Sequence, residues 1–187
     1  SDSMRVTDPH RPLGEKLRLV KAARLATDLY SDAELDAMAA QADATGEPDL
    51  PPATTPAGRR ARDRLAEATK RLDALSRLGL TARLLGPDGA DLLAGLKGKH
   101  AVAVTGFDQA AGPLPGDAAG LRRALSDAAN PQRAAFSDLK LPLAEAAQAG
   151  GATPPLGVIV FTDGRHNWGE SPVPLAELLG RRTVPVF

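Results

Sequence analysis

The run Gly157-Val158-Ile159-Val160-Phe161-Thr162-Asp163-Gly164 constrains this chain more than any other stretch. Four apolar residues, three of them β-branched, end abruptly in Thr-Asp-Gly. Such a run predicts a buried strand that carries a carboxylate to the edge of a sheet and then turns tightly. A second apolar run, Ala101 to Phe107, predicts another strand, and Thr183 to Phe187 a third. Helical stretches lie between them: Asp117 to Ala129, Leu139 to Ala149 and Val173 to Leu179. Strands alternating with helices, and apolar on both faces, imply an α/β fold. The expected architecture is an open, mostly parallel, Rossmann-like sheet with helices on both faces. Ligands of such sheets bind beyond the carboxyl ends of the strands, which is where Asp163 falls.

The first half of the chain is helical in pattern. Leu17, Val20, Ala23, Leu25 and Leu29 recur at helical spacing, which predicts one helix from Leu13 to about Ala40. Leu65, Ala68, Leu72, Leu75 and Leu78 predict a second helical region from Gly58 to Leu85, with Gly79 as its interruption. A short helix is expected from Asp91 to Leu96. Residues 45–55 are rich in proline, glycine and threonine and read as a loop. The wider segment at about 40–58 reads as an insertion or a flexible stretch within a single domain spanning 1–187.

Composition narrows the function by exclusion. The 187 residues carry 23 basic and 23 acidic side chains. A balanced charge gives no reason to expect nucleic acid as a partner. There is no cysteine, so thiolate metal sites and disulfides are ruled out. Neither a Gly-x-Ser-x-Gly elbow nor a phosphate-binding Gly-x-x-x-x-Gly-Lys loop occurs, which argues against an enzyme. His10, His100 and His166 are scattered and form no zinc-binding pattern.

Three short segments, in order, carry a family likeness: Ser1-Asp2-Ser3-Met4, Phe136-Ser137-Asp138-Leu139 and Thr162-Asp163-Gly164. The chain resembles a bacterial von Willebrand factor A-type domain. Those domains build a metal-ion-dependent adhesion site from an Asp-x-Ser-x-Ser loop, a threonine ahead of a helix, and an aspartate after a later strand. The resemblance implies that Ser1, Ser3, Ser137 and Asp163 ligate a divalent cation. Ser137 departs from the family's threonine but keeps the hydroxyl. The motif's first aspartate would precede Ser1, so the resemblance also implies an incomplete domain of a larger protein, lacking its central first strand and its last elements. Residues Val6 to Leu75 match the family poorly.

What the resemblance implies functionally is a binding module. Mg²⁺ favours near-octahedral oxygen coordination, and Mn²⁺ or Ca²⁺ accept similar donors. Neutral serine hydroxyls leave the cation electrophilic enough to take a carboxylate from a protein partner. Asp138, His166 and Asn167 are expected at the rim of that site. Any membrane association would come through other parts of the parent protein. Each segment also has a plainer reading: Thr-Asp-Gly as a simple turn, Ser137 as a helix cap, His166 as a solvated loop residue. The alternative functions are a metal-dependent Rossmann-like hydrolase or phosphatase, with Asp2 and Asp163 at its centre, and a scaffold whose metal site has decayed.

Overall fold

A computed structural model describes residues 2–127, 137–148, 155–162 and 166–187, with the backbone alone at 2, 3, 126 and 127. The chain divides into two compact units: Val6–His100, and Ser1–Arg5 together with Ala101–Phe187.

The unit Val6–His100 is built from helices α1 (Leu13–Ala22), α2 (Asp32–Thr45), α3 (Pro56–Asp73), α4 (Arg77–Leu85) and α5 (Leu92–Lys97). The single helix expected over Leu13 to Ala40 is two. The break is written in cap chemistry: Ser31 accepts from the Glu34 N–H, and the Glu34 carboxylate accepts the Ser31 N–H at 2.7 Å. This reciprocal pair satisfies two amide donors at the helix start. The next boundary is also set by a cap. Ser76 Oγ accepts the Gly79 N–H at 3.0 Å, so α4 begins at Arg77 and Gly79 lies in its first turn, not at a kink. Thr55 caps α3 in the same way, with Pro56 at its first position, where no amide is needed. The expected loop over 45–55 begins one residue later, at Gly46, and the short helix expected from Asp91 to Leu96 runs Leu92–Lys97.

Leu17, Val20, Leu35, Ala68, Leu72 and Leu80 form the centre of this unit, with small alanines between them. Small residues let helices approach closely. A Cβ on Gly14 would stand 2.0 Å from Asp43 Oδ1 and 3.0 Å from the Ala39 carbonyl, so α1 and α2 meet across that glycine. Polar ties fix the periphery: Lys16 to Asp73 at 2.7 Å, and Arg71 to Asp28 through its two terminal guanidinium nitrogens at 2.6 and 2.9 Å. Ser31→Ala is expected to cost about 1 kcal/mol of stability in urea unfolding. The same cap sets an acid response. The Ser31 backbone N–H, then its hydroxyl, holds the Glu34 carboxyl below its ordinary 4.5. A carboxyl lowered on folding stabilises above its unfolded value and ceases to do so as pH falls through the folded one. Stability should therefore decline below about pH 4.5, less steeply in Ser31→Ala.

The second unit contains a 3₁₀ turn (Asp2–Arg5), strands β1 (Thr105–Phe107) and β2 (Ala111–Pro113), and helices α6 (Ala118–Asp127), α7 (Lys140–Gln148) and α8 (Val173–Arg181). Here the expected architecture is overturned. Among the described residues the sheet is a two-stranded antiparallel hairpin, Thr105 opposite Pro113 and Phe107 opposite Ala111. No open parallel Rossmann-like sheet, and so no sheet of the von Willebrand A kind, is formed by them. Residues 158–160 do run parallel to 185–187, with the Val158 N–H on the Pro185 carbonyl at 2.8 Å and the Val160 N–H on the Phe187 carbonyl at 2.7 Å. That contact is an isolated bridge between Val158 and Val186. The physical reason is burial. A parallel sheet needs both faces covered, yet Ile159 is 52% and Phe187 74% exposed. Short apolar runs suit a strand but do not by themselves supply neighbours. The core of this unit is helical instead: Leu143 of α7 and Leu179 of α8 pack with Val184. Among the described residues no helix is long and apolar enough to cross a membrane.

Candidate functional site

The site grows from a turn. At the tip of the β1–β2 hairpin, Asp108 Oδ1 accepts the Ala110 N–H at 2.9 Å, and the Asp108 N–H donates to the Ala110 carbonyl at 3.0 Å. Aspartate does this readily, because its short side chain reaches the backbone two residues on. The Asp108 carbonyl is left pointing at the start of α7, where it accepts the Asp138 N–H at 2.9 Å. The hairpin thus anchors the loop that carries Ser137 and Asp138.

A second segment grips the same loop. Asn167 Oδ1 accepts the Ser137 N–H at 2.7 Å, and the Asn167 N–H donates back to the Ser137 carbonyl at 3.2 Å. His166 Nδ1 accepts the Leu139 N–H at 3.2 Å. Lys140 Nζ and the Glu170 carboxylate make a close ion pair. The Lys140 ammonium holds the Glu170 carboxyl below the usual carboxylate range. Ser137 and Asp138 are left 3% and 7% exposed.

Asp138 is the electrostatic centre of this arrangement. Its Oδ1 accepts the Lys140 N–H at 2.9 Å and lies 4.0 Å from His166 Nδ1. Its Oδ2 faces Gly169, where a Cβ would stand only 2.3 Å away. Gly169 has φ +80, a left-handed conformation that glycine adopts without penalty. So the glycine both permits the turn and makes room for the carboxylate. The lysine next door is engaged by Glu170. Burying an ionised carboxylate with one backbone bond is costly unless a positive charge is close.

The residues expected at the site divide into three groups. Ser137, Asp138, His166 and Asn167 are brought together, although Asp138 is buried, not at a rim. Ser3 lies in the 3₁₀ turn, within the same compact unit. Ser1 and Asp163 lie outside the described residues, as does Gly164 of the expected Thr-Asp-Gly turn. Among the described residues, no group of three or more histidine, aspartate or glutamate side chains is assembled to hold a metal. Four participants were not anticipated. Gly169 follows Trp168 with no pattern around it that marks a left-handed turn. Asp108 contributes its carbonyl, which any residue has. Lys140 and Glu170 are thirty positions apart, and nothing local links them.

Comparison of the chain with protein-family models, curated proteins and solved structures returns no match.

Proposed function

We propose that this chain is a binding module, not an enzyme, in which a divalent cation (Mg²⁺, with Mn²⁺ or Ca²⁺ as substitutes) takes an acidic group of a protein partner. The observation that supports this reading is the mutual clamp between the Ser137–Lys140 loop and His166–Asn167. It brings a buried hydroxyl-bearing residue and a buried carboxylate to the segment that follows Asp163 in the chain. Ser137, Asp138 and Asp163 are the residues that would hold the cation, with Ser1 and Ser3 as further hydroxyl donors. The cation supplies an electrophilic position for a partner's carboxylate. The chain's own residues keep the loops in register and limit water around Asp138. A low count of anionic ligands leaves the ion short of charge, and a carboxylate from outside supplies it.

The test is calorimetric titration of the 187-residue chain with MgCl₂ and MnCl₂. A saturable heat is expected, weakened at least about tenfold in Asp163→Ala, which corresponds to about 1.4 kcal/mol. Asp138→Asn is expected to weaken it as well. A flat titration with both ions removes the reading.

A further inference from the structure

The parallel contact in the second unit leaves one strand edge open. The Val158 and Val160 N–H groups donate to the Pro185 and Phe187 carbonyls, and the Val158 carbonyl accepts the Phe187 N–H at 2.9 Å. Successive residues of a strand turn their backbone groups to opposite sides. Residues 158 and 160 therefore face 185–187, and Gly157, Ile159 and Phe161 turn their N–H and C=O groups the other way. Among the described residues none of these three has a backbone hydrogen bond. Val158 packs against the core of Leu143, Leu179 and Val184, while the side chains of Ile159, Phe161 and Phe187 are exposed on the opposite face. An open edge is ordinarily guarded by charge, proline or a bulge. Residues 156–162 (Leu-Gly-Val-Ile-Val-Phe-Thr) hold no charge and no proline.

We propose that this edge pairs with the same edge of a second copy of the chain, antiparallel and centred on Ile159. The proposal uses none of the residues assigned to the cation. Three observations select the occupant. The groups left over are backbone donors and acceptors in a strand's alternation, which another strand satisfies and a helix does not. The edge is also self-complementary. With each Ile159 opposite its counterpart, each Phe161 falls opposite the other copy's Gly157, and an aromatic ring across from a glycine covers the backbone that the glycine leaves bare. The Phe187 ring already borders that spot, its Cε2 3.9 Å from where a Gly157 Cβ would stand, so the incoming phenyl meets a ring as well as a gap. No like charges are opposed in this register. Finally, the far side of 185–187 competes poorly. Among the described residues only Val186 has both backbone groups open there, since the Val184 N–H donates to the Leu179 carbonyl at 2.9 Å. Pairing unlike edges would repeat without closing, whereas pairing like edges about a two-fold axis stops at a dimer. The contact is small, so the association is weak and concentration-dependent.

The experiment is sedimentation of the 187-residue chain without divalent cations, from about 10 µM to about 1 mM, the range in which a small interface associates. A monomer that passes to a dimer and no further is expected. Ile159→Pro removes the outward N–H and leaves the bonds to 185–187 untouched, because proline is tolerated at a strand edge. It should weaken the dimer at least about tenfold with an unchanged circular dichroism spectrum. A second measurement does not depend on how that variant folds. The chain has no cysteine, so one introduced thiol reports one position. Hydrogen-bonded antiparallel residues lie about 5.5 Å apart at Cα, within the span of a disulfide. Ile159→Cys should therefore form a covalent dimer under diamide, and Val173→Cys, exposed on α8, should not. A chain that stays monomeric at the highest concentration, one that grows past the dimer, a dimer indifferent to Ile159→Pro, or equal cross-linking from positions 159 and 173 each overturns the proposal.

Discussion

Gly169→Ala should disable the site and loosen the unit that contains it. The residue has φ +80, and a side chain there meets the Asp138 carboxylate at 2.3 Å. The left-handed backbone alone costs a non-glycine residue about 1–2 kcal/mol. The contact adds a further cost, because either the Trp168–Glu170 turn or Asp138 must shift, and overpacking of this kind typically costs about 1–3 kcal/mol. The combined loss should be on the order of 2–4 kcal/mol in chemical unfolding. Displacing Asp138 should also weaken Mg²⁺ by at least about tenfold. Gly180→Ala is the matched control. It lies in α8 with nothing within 4 Å of the added methyl, so it should be neutral or slightly stabilising. Equal Mg²⁺ affinity and equal stability in Gly169→Ala and the unsubstituted chain would show that the glycine makes no room for the carboxylate.

Leu17→Ala should produce a comparable loss in the other unit. Leu17 is fully buried in α1 and packs in the cluster that includes Leu35, Leu72 and Leu80. Truncating a buried leucine removes its transfer free energy and leaves a cavity, together about 2–5 kcal/mol. The alanines around it cannot reach into the space, because Ala23, Ala39 and Ala68 have no rotamer freedom to do so. A value in the upper half of that range is therefore expected. For a unit of this size the melting transition should fall by roughly 15–40 °C, read by far-ultraviolet circular dichroism. Leu17→Met, which conserves volume, should cost less than about 1.5 kcal/mol. A Leu17→Ala chain with an unshifted transition would mean that the cluster around α1 is not a close-packed core.

The helices were legible in the sequence and the sheet was not, and the difference has a physical cause. Leu65, Ala68 and Leu72 repeat at a spacing that only a helix converts into one face, so α3 could be read directly. The break between α1 and α2 was legible too, but in a different alphabet. Ser31 and Glu34 stand in the spacing of a reciprocal cap, and a pattern of apolar residues passes over it because Leu25 and Leu29 continue the rhythm through the break. Residues 158–161 show the opposite failure. Their apolar run says that a strand is compatible, but what makes a sheet is the neighbour, and the described residues give Val158 one partner at Val186. The site was legible in part. Ser137 and the residues after Asp163 were expected to meet, and the hydrogen bonds between Ser137 and Asn167 join those two loops. The depth of Asp138 was not legible, because it depends on a glycine thirty-one positions later that leaves space for one oxygen atom.

The division of the chain also bears on the order in which it emerges during synthesis. The turn at Asp2–Arg5 belongs with Ala101–Phe187, yet all of Val6–His100 is made between them. At about 5–20 residues per second, that interval lasts roughly 5–20 s. The helical unit, rich in neighbour-to-neighbour contacts, completes itself well within such a time. Residues 2–5 must therefore wait for the rest of their own unit after the helical one has formed. Whatever binds extended segments on the ribosome meets residues 2–5 at their most receptive during that pause.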